Sequence, residues 1–147
     1  MTTEIAAARY TSEERNWAMA AHLSALVAVM GVPFGHIIGP LVVYLTQRER
    51  SPFVASHARA SLNFQITVSI AALVFFVVAL GGWAAFIIAL SSKPSSTVPL
   101  WFFGGWIAVL GVFLVGAVGT IVLIVMGAVA ASNERPYQYP FAISFVR

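Results

Sequence analysis

Hydrophobic residues along this chain fall into four runs separated by polar breaks, and nearly all of the charge lies in the breaks on one side. The clearest run, Ile70–Leu90, has 21 residues and no charge. At about 1.5 Å per residue it extends roughly 31 Å, the thickness of a bilayer's hydrocarbon core. Leu100–Ala131 adds 32 uncharged residues. A soluble domain of this size buries only about 70% of its surface and has no interior for both. The pattern predicts an integral membrane protein.

The first two runs are shorter. Thr11-Ser12-Glu13-Glu14 fits a capping box, which starts a helix near Ser12. The apolar segment Asn16–Gly31 covers about 24 Å at helical rise. Gly31-Val32-Pro33-Phe34-Gly35 then breaks it, and His36–Thr46 resumes for about 17 Å, with Gly39-Pro40 inside. One long kinked helix and two short helices folded as a hairpin both fit this pattern. The hairpin gathers Arg9, Arg15, Arg48, Arg50 and Arg59 on one side, as the positive-inside rule favours, and is preferred for that reason. A cleaved signal peptide fits poorly, because Glu13 and Glu14 flank Arg15 and apolar sequence follows directly.

Ser51-Pro52 marks the next helix start, with serine at the N-cap and proline at the first helical position. The stretch after it is polar on two faces. Ser56, Arg59, Asn63 and Thr67 form one helical stripe, and Ser61, Gln65 and Ser69 form another opposite it. Such a helix belongs at the interface or against the first hairpin before Ile70 begins the span. Gly81, Ala85 and Ala89 make a small-residue ladder suited to membrane-protein partners or self-association. Trp83, Trp101 and Trp106 suit an aromatic belt. The final run is longer than a bilayer needs, so it should tilt or protrude.

The expected fold is an all-α integral membrane protein, one polytopic domain over 1–147 with tails at 1–11 and 132–147. Four membrane-embedded helices fall near 12–31, 36–47, 52–91 and 99–131, the first two forming a hairpin, and the C-terminal tail is extended and interfacial. Lys93 is the only cation on the far side, which places both termini in the cytoplasm of a bacterial inner membrane.

Composition narrows the chemistry. Mean hydropathy is +0.90 and charged residues make up 9%, against about 25% in soluble domains. There is no cysteine and no aspartate, so disulfides, thiolate nucleophiles and cysteine metal sites are excluded. A net charge of +3 is too small and dispersed for nucleic acid. His22, His36 and His57 are the groups that titrate near neutral pH, but no two are spaced four apart and no intramembrane carboxylate completes a metal shell. No metal or cofactor is expected. A Ser24–histidine dyad is the one nucleophilic arrangement to consider, and no G-x-S-x-G accompanies it. No catalytic residue is assigned. The polar interface cluster His57, Arg59, Asn63 and Gln65 is the candidate site, read mainly as structural hydrogen bonding against the hairpin. Arg48 and Arg50 serve as topological anchors or lipid-headgroup contacts.

Glu14-Arg15-Asn16-Trp17, Gly35-His36-Ile37-Ile38-Gly39-Pro40, Ser51-Pro52-Phe53, Asn63-Phe64-Gln65 and Arg135-Pro136-Tyr137-Gln138-Tyr139-Pro140 occur in an order that resembles a bacterial family of small membrane proteins. That family is distantly related to the twenty-kilodalton subunit of the translocon at the inner chloroplast envelope. The resemblance covers 14–147 and implies four helices with both termini on one side. It brings no catalytic residues. It implies a non-enzymatic protein acting through partners, in protein translocation or membrane insertion. A small transporter or channel subunit with a polar path near Arg59, Asn63 and Gln65 is the alternative.

Overall fold

The computed structural model describes residues 9–92 and 98–147; the loop around Lys93 and the first eight residues of the N-terminal tail lie outside them. In chain order the elements are α1 (Ser12–Leu23), a 3-10 helix (Ser24–Met30), α2 (Gly35–Gln47), α3 (Pro52–Ser91) and α4 (Leu100–Ser132). The described residues contain no strand.

α1 begins as its capping box requires. The Thr11 hydroxyl accepts from the Glu14 N–H at 3.1 Å, and the Glu14 carboxylate accepts from the Thr11 N–H at 2.9 Å. The α-helix stops at Leu23, short of Gly31, and winds on as a 3-10 helix. Gly31 then turns the chain with φ 84, a conformation glycine adopts without steric cost. α2 folds back against the 3-10 helix, so the break makes a hairpin and not a kink. Gly39 permits the approach: a Cβ there would lie 2.7 Å from the Cβ and carbonyl oxygen of Ser24.

The expectation of four membrane helices needs correction. Among the described residues, two helices are long and apolar enough to cross a membrane, α3 and α4. α1 and α2 hold 12 and 13 residues, about 18 and 20 Å at helical rise, against a core of about 30 Å. α1 also opens on Glu13 and Glu14 and buries His22 against protein.

The chain divides into two compact units. The first comprises 9–67 and 121–147, and its core joins Ala18 and Ala21 of α1, Val43 of α2, Val54 and Ala58 of α3 and Ala131 of α4. Alanine at most of these contacts lets the helices approach closely. Polar bonds fasten its rim. Arg15 pairs with Glu134 at 2.8 Å, the Arg9 N–H donates to Glu134 at 2.8 Å, and the Ser51 hydroxyl donates to Glu14 at 2.7 Å. The Ser51 bond, with those from Thr11, holds the Glu14 carboxyl below its ordinary pKa. Glu134 sits just past α4 with φ 57, a position that favours glycine, and the Arg135 N–H closes the turn onto Ala130 at 2.9 Å. Burial works to raise the Glu134 pKa, and the bonds from Arg9 and Arg15 outweigh it.

The second unit, 68–92 with 98–120, pairs the apolar lengths of α3 and α4. Phe86 stacks on Phe102 at 4.0 Å and meets Trp101 edge-on at 5.7 Å. Val78, Ile88, Ile107 and Val115 point outward and are mostly exposed. In a soluble protein's core helix such side chains would be covered. Here the most apolar windows of α3 and α4 are 0% and 6% buried, as lipid-facing surface should be. Gly81, Ala85 and Ala89 of the small-residue ladder are exposed as well.

Candidate functional site

Three side chains far apart in sequence form a continuous hydrogen-bonded chain inside the first unit. His22, in the last turn of α1, places Nδ1 2.8 Å from the Tyr139 hydroxyl and Nε2 2.9 Å from Nδ1 of His57 on α3. All three are buried. Donation can run from Tyr139 toward His57 or in reverse, and either way each ring carries one proton. Burial, with the neighbouring His57 ring second, lowers the His22 pKa to about 3. Burial likewise drives the Tyr139 phenol well above its usual range.

Packing holds these groups in place. Phe64 stacks on Tyr139 at 4.1 Å, and Phe53 meets His57 edge-on at 4.7 Å. His57, Ser61 and Phe64 recur at i, i+4 and i+7, so one face of α3 supplies the floor, with Ser61 beside the Tyr139 hydroxyl. Gly127 of α4 supplies the room. A Cβ there would lie 2.8 Å from Nδ1 of His22 and 3.0 Å from the Tyr139 hydroxyl. A neutral, buried and aromatic-lined chain of this kind is a lock between α1, α3 and the C-terminal tail. Among the described residues no group of three His, Cys, Asp or Glu is placed to hold a metal ion. Ser24 joins no dyad: its Oγ is buried without a hydrogen-bond partner.

The opposite face of α3 borders a cleft of about 480 Å³, lined by Ser56, Arg59, Asn63, Tyr137, Ser144 and Arg147 among others. Its outer wall is the C-terminal tail, fastened by Asn63. The amide oxygen of Asn63 accepts from the N–H groups of Phe145 and Val146 at 3.1 and 2.8 Å, and its nitrogen donates to the Val146 carbonyl at 3.0 Å. Thr67 adds a bond from the Ile143 N–H at 3.0 Å. The side-chain amide takes the place of a neighbouring strand's backbone.

The predicted polar cluster therefore divides. Arg59 and Asn63 border the cleft, His57 enters the buried chain, and Gln65 is buried on the other face of α3. The sequence led us to expect Asn63 against the first hairpin; it binds the tail instead, at Phe145 and Val146. Arg48 and Arg50 are exposed beyond α2, with Arg48 3.5 Å from Glu49. His22 was visible in the sequence only as a titratable group, and Gly127, Tyr139 and Arg147 were not among the expected site residues; in the tail, Tyr137-Gln138-Tyr139-Pro140 was the one visible signal.

Two compact α-helical units, one an apolar helix pair and the other holding a buried histidine–tyrosine lock, define the structural class. Residues 13–146 match the magnetosome magnetite crystal formation protein family, and the chain belongs to that family. No curated protein and no solved structure matches it. The resemblance to a bacterial family of small membrane proteins is correct at that level, while no link to the chloroplast translocon subunit is found. The expected role in protein translocation or insertion is overturned, and so is the transporter or channel alternative. The family's description is of magnetite crystal formation.

Proposed function

We propose that this protein contributes to magnetite crystal formation from within the magnetosome membrane, anchored by α3 and α4. The observation that carries this reading is the family match over 13–146, which includes both long apolar helices and nearly all of the first unit. All seven arginines belong to 9–67 and 121–147, while the segment joining α3 to α4 has Lys93 alone. That asymmetry supports a cytoplasmic location for both termini and the arginine-bearing segments. On this orientation the mineral side receives a short hydroxyl-bearing segment without carboxylates, Ser91 to Thr97. The short α1–α2 hairpin, with Val29, Met30 and Phe34 exposed at its tip, embeds in the near leaflet without crossing. The exposed ladder Gly81, Ala85 and Ala89 supports self-association in the membrane plane.

The test is deletion and complementation in a magnetite-forming bacterium, with crystal size measured by electron microscopy and a fluorescent protein fused after Arg147. Altered crystals restored by the wild-type chain, with fluorescence on magnetosomes, are expected. Unchanged crystals after deletion overturn the reading. Topology is tested separately, because the chain has no native thiol: a Ser95→Cys variant labelled from the cytoplasmic side contradicts the orientation.

A further inference from the structure

The cleft beside α3 contains a charge that the fold does not neutralise. Arg59 is half-buried, its Nε is fully buried without a hydrogen-bond partner, and no carboxylate pairs with it among the described residues. A buried guanidinium N–H without an acceptor is costly, and a fold can keep one where the acceptor comes from outside. A second arginine, Arg147, lines the same space, with Ser144 and Tyr137 as hydroxyl bearers, while the Ser56 hydroxyl is already donated to the Phe53 carbonyl at 2.7 Å. No Asp or Glu lines it. Two arginines, two neutral hydroxyls and no acidic side chain make a site for an anion. The forked donors of arginine match the oxygens of a phosphate, and the cleft's 480 Å³ exceeds what one inorganic ion fills.

We propose that this cleft binds a phosphate-bearing anion through Arg59 and Arg147, either the headgroup of an anionic lipid or free phosphate. Its placement suits a headgroup. Exposed apolar side chains begin at Ile70, about 17 Å further along α3 at helical rise. Phe141 and Ile143 of the cleft's tail wall project outward at 94% and 57% exposure, where acyl chains would cover them. Arg48 and Arg50, exposed on the other side of the α3 start, line no such space. The inference is independent of the role in crystal formation.

The experiment uses the full chain in neutral detergent at constant ionic strength. Thermal unfolding is followed while dioctanoyl phosphatidylglycerol, dioctanoyl phosphatidylcholine or inorganic phosphate is titrated, with chloride as reference. Saturable stabilisation by phosphatidylglycerol but not phosphatidylcholine assigns the site to an anionic headgroup; saturation by inorganic phosphate assigns it to the free ion. In either case Arg59→Gln and Arg147→Gln should each weaken binding about tenfold, the loss of one charge-assisted contact, and Arg48→Gln should leave it unchanged. Because Arg147 is exposed near the end of the tail, its variant tests the site even where Arg59→Gln impairs folding. No saturation above the chloride reference overturns the proposal. So does an equal loss in Arg48→Gln.

Discussion

Gly127→Ala tests whether the His22–Tyr139 bond is a lock. The added methyl would meet Nδ1 and Cε1 of His22 at 2.8 and 2.9 Å and the Tyr139 hydroxyl at 3.0 Å, so one of these groups must move. Overpacking of this kind costs about 1–3 kcal/mol. If the 2.8 Å bond breaks, two buried polar groups lose their partner, at about 1–3 kcal/mol more. Alanine's better helix propensity offsets about 1 kcal/mol. The net loss is about 3 kcal/mol. With about 2–4 °C per kcal/mol for a chain this size, the melting temperature should fall roughly 6–12 °C. Gly111→Ala is the control: nothing lies within 4 Å of its Cβ position, so melting should hold or rise slightly. The measurement is thermal unfolding of both variants in one detergent. Tyr139→Phe, which already lacks the hydroxyl, should absorb much of the Gly127→Ala effect. A Gly127→Ala protein that melts with the wild type refutes the reasoning, and so does strict additivity with Tyr139→Phe.

Asn63→Leu should free the tail from α3, because three bonds to Phe145 and Val146 vanish together; amide exchange at Val146 should accelerate strongly while the helices stay protected. Stability should decline with acid in two stages. The unfolded chain protonates His22 near its ordinary 6.5 while the native state resists to about 3, so stability is complete above about pH 6.5 and falls below it. Glu14 and Glu134, held below 4.5, add a second decline once pH drops beneath that value. Melting profiles should show both, with the first shallower in His22→Asn; a flat profile from pH 7 to 5 contradicts the burial argument. At Glu134, alanine should be worse than glycine and both worse than wild type, since glycine relieves the left-handed backbone while neither retains the bond to Arg15. Differential scanning calorimetry would rank the three.

Local features were legible in the sequence because they depend on neighbours. The Thr11–Glu14 capping box, the Ser51-Pro52 helix start, the Gly31 break and the two long apolar helices all involve residues within a turn or a continuous run. The two-faced polar pattern of 56–69 showed that neither face of α3 could lie bare in lipid. It could not say what covered each one. The tail binds one face through Asn63 and Thr67, and the histidine–tyrosine chain occupies the other.

Hydropathy measures transfer from water and cannot tell burial in lipid from burial in protein, which is why α1 and α2 read as membrane-embedded alongside the two long helices. Length decided against them, and the buried His22 shows what α1 packs on. The pairing of His22 with His57 and Tyr139 links positions 35 and 117 residues apart, and no periodicity encodes such a meeting. Likewise Gly127 reads as one more small residue in a slim helix until its Cβ position is seen to fall against an imidazole and a phenol. The sequence determined by itself which segments are helical and which are apolar, since those follow from short-range sterics and solvation. Only the tertiary structure decided which polar groups meet, because hydrogen bonds across the fold depend on where distant backbones bring them.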